Sequence, residues 1–278
     1  MVMKIAITGG KGGTGKSTVA TSLAVELAKK NKVLLVDADV DCPNDHIILD
    51  ITRKKIKDVM QLIPKWDFDK CIKCGKCSQV CKTNSIAQIK GKYPIFIPEQ
   101  CSGCRACIIS CPVKAISESK KEIGKIYFGS KYGIDLVSAE LKLNEPISEF
   151  VVDAAKEYVD KIKKKYDYIL FDTSVGTHCD VISALNGCEL AIAVTEPTPL
   201  GAHDLELILK LLKILNVPGK IVLNRSDIGD EKIIQNLAKR YNVEIIAKIP
   251  YKKEFLEKYS KGEPIEDKNI KKIIGGIK

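Results

Sequence analysis

The fold of this chain is decided by the stretch Gly10-Lys11-Gly12-Gly13-Thr14-Gly15-Lys16-Ser17. It fits the pattern G-x-x-x-x-G-K-S/T, whose glycines let backbone N–H groups turn towards a phosphate while the following helix presents its positive end. The stretch follows the apolar segment Met3–Thr8 and opens Ser17–Lys30, where apolar residues recur at helical spacing. The alternative is a glycine-rich turn without a ligand, which needs neither a strand before it nor a helix after it. The sequence therefore predicts a strand, a phosphate-binding loop and a helix.

Two side chains of this loop have specific roles. Lys16 is expected on the β- and γ-phosphates of ATP, and the Ser17 hydroxyl on Mg²⁺. Phosphoryl transfer needs little covalent chemistry, so charge neutralisation and an aligned water supply most of the catalysis. We therefore predict a Mg-dependent ATPase. The loop residues predicted to bind the nucleotide are Gly10, Lys11, Gly12, Gly13, Thr14, Gly15, Lys16, Ser17 and Thr18.

Strand and helix patterns alternate along most of the chain. Val33–Asp37 is apolar up to its final aspartate, which is typical of a strand buried on both faces of a parallel sheet. Further strands are predicted at Tyr168–Asp172, Leu190–Thr195, Lys220–Asn224 and Val243–Ile249, and further helices at Val151–Lys165, Leu205–Leu215 and Glu231–Tyr241. This alternation predicts an α/β fold with a doubly wound, mostly parallel sheet, that of a P-loop NTPase.

The loop has a second lysine, Lys11, which indicates a particular class of P-loop ATPase. The segment Lys11–Ser17, K-G-G-T-G-K-S, resembles the deviant Walker A box of the MinD/ParA ATPases, which include the nitrogenase iron protein and scaffold-type iron–sulfur carriers. The resemblance covers nearly the whole chain outside a cysteine-rich segment. In that family this lysine reaches across a dimer interface to the partner's ATP. The resemblance therefore implies an ATP-dependent homodimer in which Lys11 and Lys16 are catalytic.

A second part of the resemblance concerns switch I. Val33–Asp39 is similar to the strand that leads into this segment, and Asp39 lies where the family has the water-orienting carboxylate, close to Mg²⁺. Asn44 also falls in the family's register. For Asp39, as for Asp37 and Asp41, the alternative is a solvated loop at a strand end.

Two later segments extend the resemblance. Tyr168–Gly176 is similar to the Walker B strand and switch II, which places Asp172 near Mg²⁺. Asn224 and Arg225 belong to a segment similar to the one whose asparagine reads adenine. The implied cofactors are ATP and Mg²⁺.

Eight of the eleven cysteines lie in a segment where the α/β alternation stops. Two runs thirty residues apart read C-x2-C-x2-C-x3-C, the pattern of bacterial two-cluster ferredoxins, in which the fourth cysteine binds the other cluster. Structural zinc is the alternative, but it normally uses C-x2-C pairs rather than triplets. The pattern predicts one 4Fe-4S cluster on Cys71, Cys74, Cys77 and Cys111, and a second on Cys101, Cys104, Cys107 and Cys81.

The predicted domain organisation follows from this interruption. Residues 1–65 and 119–278 form the P-loop ATPase domain, and residues 66–118 form a small inserted α+β ferredoxin-like domain. Pro112 follows the last cysteine of the second run, as in ferredoxins, whereas Lys82 takes that place in the first. This replacement is expected to alter the potential of the second cluster, in a direction that the sequence leaves open.

The remaining cysteines and the histidines give weaker signals. Cys42 and Cys188 are expected to be buried, because free cysteine is among the most buried residue types. Cys179 follows Asp172 by seven residues, and we favour a buried or interfacial thiol over one that bridges a metal ion between two subunits. His46, His178 and His203 form no ligand pattern.

Charge and hydropathy suggest the compartment and the partners. The N-terminus lacks the apolar core of a signal peptide, and no apolar run reaches about 18 residues, so we expect a cytoplasmic protein. The net charge of +10 is spread over helix faces, which favours a solvated surface over nucleic-acid binding. Asp67–Glu118 is itself basic, with eight Lys/Arg against four Asp/Glu, which suits an acidic redox partner or ordinary solvation.

The C-terminus offers two interpretations. Ile270, Ile273, Ile274 and Ile277 recur at helical spacing among lysines. Such a tail is typical of a peripheral membrane anchor, but also of a last helix docked on the ATPase core.

Three functions share these features. The favoured hypothesis is an ATP-hydrolysing iron–sulfur protein in which nucleotide-driven switching is coupled to electron transfer or cluster handling, with an unidentified redox or iron–sulfur partner. One alternative is a MinD/ParA-type positioning or partition ATPase with a redox-sensing ferredoxin domain. The other is a scaffold that carries iron–sulfur clusters to other proteins.

Overall fold

The computed structural model describes residues 2–277 of the chain, which divides into two compact units. The nucleotide unit comprises Met1–Lys57, Lys125–Leu141 and Ser148–Lys278. The cysteine unit comprises Asp58–Gly124 and Lys142–Ile147, and so contains the whole predicted insert together with neighbouring residues.

The strands and helices follow one another in mixed order. The strands are β1 (Met3–Thr8), β2 (Val33–Ala38), β3 (Arg53–Trp66), β4 (Ile86–Ala87), β5 (Ile95–Phe96), β6 (Ile116–Lys131), β7 (Ile134–Leu141), β8 (Tyr168–Thr173), β9 (Leu190–Thr195), β10 (Gly219–Asn224) and β11 (Glu244–Ile249). The helices are α1 (Lys16–Ala28), α2 (Asp45–Ile48), α3 (Lys76–Gln79), α4 (Ala106–Ile109), α5 (Glu149–Ile162), α6 (Cys179–Leu185), α7 (Pro199–Leu215), α8 (Glu231–Tyr241), α9 (Lys253–Ser260) and α10 (Lys268–Ile277). None of the helices within residues 2–277 is long and apolar enough to cross a membrane.

A nine-stranded sheet has the order β11-β10-β9-β1-β8-β2-β7-β6-β3. The pairs that join β11 through β7 in this order are all parallel. The central strands are apolar because helices cover both faces of such a sheet. The predicted mostly parallel sheet is thus confirmed, and β1 stands near its centre, where its carboxyl end opens into the phosphate loop.

Most predicted elements of the nucleotide unit agree with the structure within two residues. The largest boundary error is in α7, which begins at Pro199 instead of Leu205. The Thr198 side chain accepts a hydrogen bond from the Gly201 N–H at 3.0 Å, and proline at the first helical position fits the start of a helix. β7 was not predicted, although its run Ile134–Leu141 is largely apolar.

The C-terminal isoleucines lie in the core of the nucleotide unit. Ile270, Ile273 and Ile277 are buried in α10 and belong to the same apolar cluster as residues of α1 and β11. The docked-helix alternative is therefore correct, and the predicted membrane contact through this tail is wrong, because its apolar face packs against protein.

The cysteine unit has a small interior that includes thiols. Cys77, Ile86, Cys107 and Ile116 are buried, and Trp66 packs against them. β4 and β5 form a two-stranded antiparallel sheet. The short helices α3 and α4 start thirty residues apart, so the sequence repeat is also a repeat of structure.

Candidate functional site

The phosphate loop connects β1 to α1. Gly13 and Gly15 have φ of 82° and 90°, which only glycine adopts without strain. A Cβ at Gly15 would stand 2.3 Å from Asn224 Nδ2. Asn224 Nδ2 donates a hydrogen bond to the Thr14 carbonyl at 2.8 Å. The residue expected to read adenine is thus attached to the loop at the end of β10.

Three buried carboxylates lie close to one another beside this loop. The exposed fractions are 0% for Asp37 and Asp45 and 1% for Asp172. The Asp45 N–H donates to Asp37 Oδ2 at 3.1 Å. Asp37 Oδ1 and both carboxylate oxygens of Asp45 and Asp172 have no hydrogen-bond partner among the described residues. Buried oxygens of this kind are costly unless a cation or a proton compensates them.

Burial is the main cause of the raised pKa values of these three aspartates. Burial raises the pKa of Asp37 and Asp45 well above the ordinary value, and the charge of Asp172 raises both further. Burial also raises the pKa of Asp172, although the ammonium of Lys16 opposes the rise. A divalent cation beside these acids would favour their charged forms. The site therefore fits Mg²⁺, which is bound through one or two carboxylates, waters and phosphates.

Asp39 differs from these three. It is half-buried, and burial raises its pKa while the Lys16 charge lowers it. It lines the cleft described next, so its carboxylate is accessible to a nucleotide or a water. Sequence reasoning singled out Asp39 and Asp172 but missed Asp45, because a polar residue outside the quoted motifs gives no sign of burial.

Most of the predicted nucleotide-binding residues line one open cleft. The predicted lining residues are Gly12, Gly13, Gly15, Lys16, Ser17, Thr18, Asp39, Asn224 and Arg225, together with Asn44. Gly10, Lys11 and Thr14 belong to the same loop without lining the cleft, and Asp172 lies buried beside it. The structure thus brings the predicted loop, switch and base-reading segments together.

One wall of the cleft was not predicted. It is formed by Tyr251, Phe255, Leu256 and Tyr259, in and just before α9. Aromatic side chains beside a phosphate loop suit a nucleobase, which stacks on them. Arg225 donates to Glu196 Oε1 at 2.6 Å, so its guanidinium is held at the end of β10.

The eight clustered cysteines surround two cavities in the cysteine unit. The first site is the cavity lined by Cys71, Cys74, Cys77 and Cys111. The second site is the cavity lined by Cys81, Cys101, Cys104 and Cys107. In each case the fourth thiol comes from the other sequence run. These are the two groupings that the ferredoxin pattern predicts.

The backbone around both sites repeats as well. Positive φ occurs at Lys73 and Gly75 in the first run and at Gly103 and Arg105, thirty residues later. Left-handed turns at equivalent positions let each chain segment wrap its thiols around a cavity. Burial raises the pKa of Cys107 to about 11, so the apolar surroundings favour a neutral thiol unless a metal compensates its charge. The donor set and its wrapping therefore fit an iron–sulfur cluster.

Within residues 2–277, no three His, Cys, Asp or Glu side chains are placed to chelate a single metal ion. This spacing is compatible with a cubane, because each of its four thiolates binds a different iron. It is also compatible with Mg²⁺, which retains water ligands.

The cysteines outside the two sites correct the sequence analysis in part. Cys188 is buried, as predicted, but Cys42 is exposed because it lies in a turn after β2, where its N–H donates to the Asp39 carbonyl. Cys179 is also exposed, so a buried thiol there is wrong. The Glu149 carboxylate beside it raises the pKa of the Cys179 thiol. An interfacial or metal-bridging Cys179 stays a prediction.

Comparisons with known proteins identify the relatives of this arrangement. The chain matches the model of the CobQ/CobB/MinD/ParA nucleotide binding domain over residues 5–265. An uncharacterized protein of Methanocaldococcus jannaschii is 37% identical over 266 residues, which are 94% of this chain and 91% of that protein. The septum site-determining protein MinD of Bacillus subtilis is 22% identical over 269 residues, with 94% of this chain and 81% of that protein covered.

Among solved structures, the septum site-determining protein MinD of Pyrococcus horikoshii complexed with Mg-ADP is similar, with a TM-score of 0.60 and 22% identity. The match covers 95% of this chain and 87% of that one. It confirms the predicted α/β P-loop NTPase fold, while the ferredoxin-like insert stays a prediction.

Proposed function

This chain belongs to the CobQ/CobB/MinD/ParA nucleotide-binding family, and we propose that it is a Mg-dependent ATPase whose nucleotide state is coupled to an iron–sulfur unit with two 4Fe-4S clusters. The proposed iron–sulfur unit is supported by the grouping of the thiols, in which each site combines three cysteines of one run with the fourth cysteine of the other. Cys111 lines the first site with the triplet of the other run, and Cys81 does the same at the second site. When bound, the clusters supply one-electron redox chemistry.

The nucleotide half of the proposal rests on the cleft and its charges. Lys16 neutralises the β- and γ-phosphates, and Ser17 with Asp172 holds Mg²⁺. The half-buried Asp39 orients the attacking water. Lys11 acts from the second subunit of an ATP-dependent homodimer, so hydrolysis requires two chains. Asn224 and Arg225 bind the base end of the nucleotide.

The charge of the cysteine unit supports an acidic partner. Phe68, Ile72 and Tyr93 are exposed near the first site, and the Lys73 ammonium lies 4.4 Å from the centre of the Tyr93 ring. Exposed apolar side chains flanked by lysine suit a protein surface that is apolar at its centre and acidic at its rim. We propose a cytoplasmic redox or iron–sulfur protein as this partner.

A second candidate function is supported by the named relatives. The MinD proteins of Bacillus subtilis and Pyrococcus horikoshii are septum site-determining proteins, which favours a positioning or partition ATPase over electron transfer. In that case the cysteine unit senses redox state. ATP-dependent binding to liposomes or DNA would favour this second candidate.

The deciding experiment begins with anaerobic purification. We expect about eight irons and about eight acid-labile sulfides per chain, and interacting EPR signals after reduction. Stoichiometric zinc without acid-labile sulfide would refute the cluster half. The coupling is then measured as the rate of electron exchange with an acidic ferredoxin, with and without a non-hydrolysable ATP analogue. Equal rates in both conditions would leave an ATPase whose clusters are not under nucleotide control.

A further inference from the structure

The two cysteine sites differ at the residues that follow their fourth cysteine. In the thirty-residue repeat, Cys81 corresponds to Cys111. The positions two and four residues beyond Cys81 are Thr83 and Ser85, whereas those beyond Cys111 are Val113 and Ala115. All four residues line their respective cavities. The repeat therefore provides an internal comparison in which two hydroxyls at one site face two apolar side chains at the other.

Both hydroxyls at the second site reach the sulfur. Ser85 Oγ lies 3.1 Å from Cys81 Sγ, and Thr83 Oγ1 lies 3.6 Å from it. A cluster ligand is a thiolate and can only accept, so the two hydroxyls must donate. Ser85 is only 2% exposed, so water does not compete effectively for its hydroxyl.

At the first site, a backbone N–H is the donor to the corresponding sulfur among the described residues. The Ala115 N–H donates to Cys111 Sγ at 3.2 Å. Neither Val113 nor Ala115 carries a hydrogen that can be donated from its side chain. The surroundings of the two fourth cysteines therefore differ in the pair of side-chain hydroxyls beside Cys81.

We propose that Ser85, assisted by Thr83, makes the second site the centre of higher reduction potential, so that the electron of the singly reduced protein resides there. This inference rests on the proposed iron–sulfur function. Reduction adds negative charge that spreads onto the ligating sulfurs, and a hydrogen bond to a sulfur stabilises the reduced form more than the oxidised one. The exposed ammonium of Lys82, where the first site has Pro112, acts in the same direction.

One residue acts in the opposite direction. The Trp66 indole N–H is buried, has no hydrogen-bond partner among the described residues, and packs beside Cys77 of the first site. The repeat places Phe96, which has no donor, at the corresponding position of the other run. Trp66 therefore reduces the difference between the sites without reversing it, since its N–H does not meet hydrogen-bond geometry.

The test is an EPR-monitored redox titration of the anaerobic full-length protein, with dithionite as reductant. In Ser85→Ala, we expect the higher of the two midpoint potentials to shift to more negative values while the lower one stays unchanged. In Ala115→Ser, we expect the lower potential to shift to more positive values while the higher one stays. Thr83→Val, at an exposed position, should shift the higher potential down by less than Ser85→Ala does. Trp66→Phe should lower the lower potential alone.

The outcomes separate this inference from the function on which it rests. Parent protein without iron and sulfide would refute the iron–sulfur proposal itself. Parent protein with two clusters, together with a Ser85→Ala variant that shifts the lower potential or neither, would refute the inference. If Ser85→Ala loses iron, Ala115→Ser and Thr83→Val decide, because both leave the Ser85 hydroxyl in place. Unchanged potentials in these two variants would also refute it.

Discussion

The nucleotide unit has a large interior of aliphatic side chains, whereas the small buried cluster of the cysteine unit consists of Cys77 and Cys107 together with Ile86 and Ile116. Each buried aliphatic side chain in the first contributes about 1.5–3 kcal/mol by leaving water. In the second, Cys77 and Cys107 supply part of the buried surface themselves. From this difference we expect the nucleotide unit to fold without its ligand, whereas the cysteine unit should depend on the proposed clusters.

Removal of iron should have the largest effect, and it tests whether the cysteine unit alone depends on bound clusters. Anaerobic treatment with a strong chelator should make the cysteine unit susceptible to trypsin, while the nucleotide unit keeps its affinity for ATP. Cys77→Ser should lose the cluster of the first site, about half of the iron, because a hydroxyl ligates iron poorly. Cys188→Ser, a matched change of a buried cysteine in the nucleotide unit, should lose none. A chelated cysteine unit that resists trypsin would contradict the comparison.

Loss of ATP binding in the nucleotide unit should leave the iron content of the cysteine unit unchanged. Lys16→Ala should weaken ATP binding by about 10²–10³-fold, because the phosphate charges lose their buried cation. Iron and sulfide should remain at the parental level. Titration calorimetry with ATP measures the loss, and Lys29→Ala, an exposed lysine of the same unit, is the control. A parental affinity in Lys16→Ala would remove the phosphate loop from the proposed site.

Lys11→Ala tests whether the two lysines of the phosphate loop have different roles, one in ATP binding and the other in hydrolysis. ATP affinity should change only a few-fold, whereas hydrolysis should fall by about 10²-fold, because the missing donor acts across the dimer in the transition state. ATP-dependent dimerisation should be lost as well, which sedimentation measures. A variant that hydrolyses ATP at the parental rate would show that the resemblance to the deviant Walker A class does not extend to this lysine.

A smaller effect is expected in the apolar core. Ile273→Ala should destabilise the nucleotide unit by about 2–4 kcal/mol, because it leaves a cavity where α10 packs on the sheet. Urea unfolding at constant iron content measures the change. Lys272→Ala, at the exposed neighbouring position, should change the free energy of unfolding by less than about 0.5 kcal/mol. Equal effects of the two substitutions would contradict the docked position of α10.

The smallest effect concerns pH. The pKa values of Asp37, Asp45 and Asp172 are raised by burial, so the folded state without Mg²⁺ binds more protons than the unfolded state. Stability should therefore decrease as pH rises from about 4 towards the raised pKa values. Asp45→Asn should flatten this dependence, because the amide does not titrate in either state. Urea titrations at several pH values, in Mg-free buffer, measure it, and identical slopes in parent and variant would refute this account.

The repeats and motifs could be predicted from the sequence because each depends on residues that are close together along the chain. The spacing of the cysteines identified both thiol groupings, since a ligand run of fixed length leaves few ways to surround a cavity. The phosphate loop likewise indicated its strand and helix. The apolar runs of β2, β8 and β9 identified a parallel sheet, because strands covered on both faces contain few polar residues.

Other features depended on residues that are distant in sequence. The burial of Asp45 arises from the approach of Asp37 and Asp172 and leaves no trace in the local pattern. The aromatic wall after β11 reaches the phosphate loop only through the sheet order. The exposure of Cys42 and Cys179 reversed a general expectation about free cysteine, since each lies in or beside a loop at the carboxyl end of a strand.

Spacing along the chain was enough to predict the α/β P-loop fold, which is confirmed, whereas the two iron–sulfur ligand sets drawn from the eight thiols stay a prediction. Only the tertiary structure decided that the C-terminal isoleucines pack inside the nucleotide unit, since an amphipathic helix has the same pattern on a core as on a membrane. It also decided that the Ser85 hydroxyl stands within hydrogen-bond distance of Cys81 Sγ, whereas Ala115 donates its backbone N–H to Cys111 Sγ. A hydroxyl acts on a sulfur only at short range, and the folded chain sets that distance.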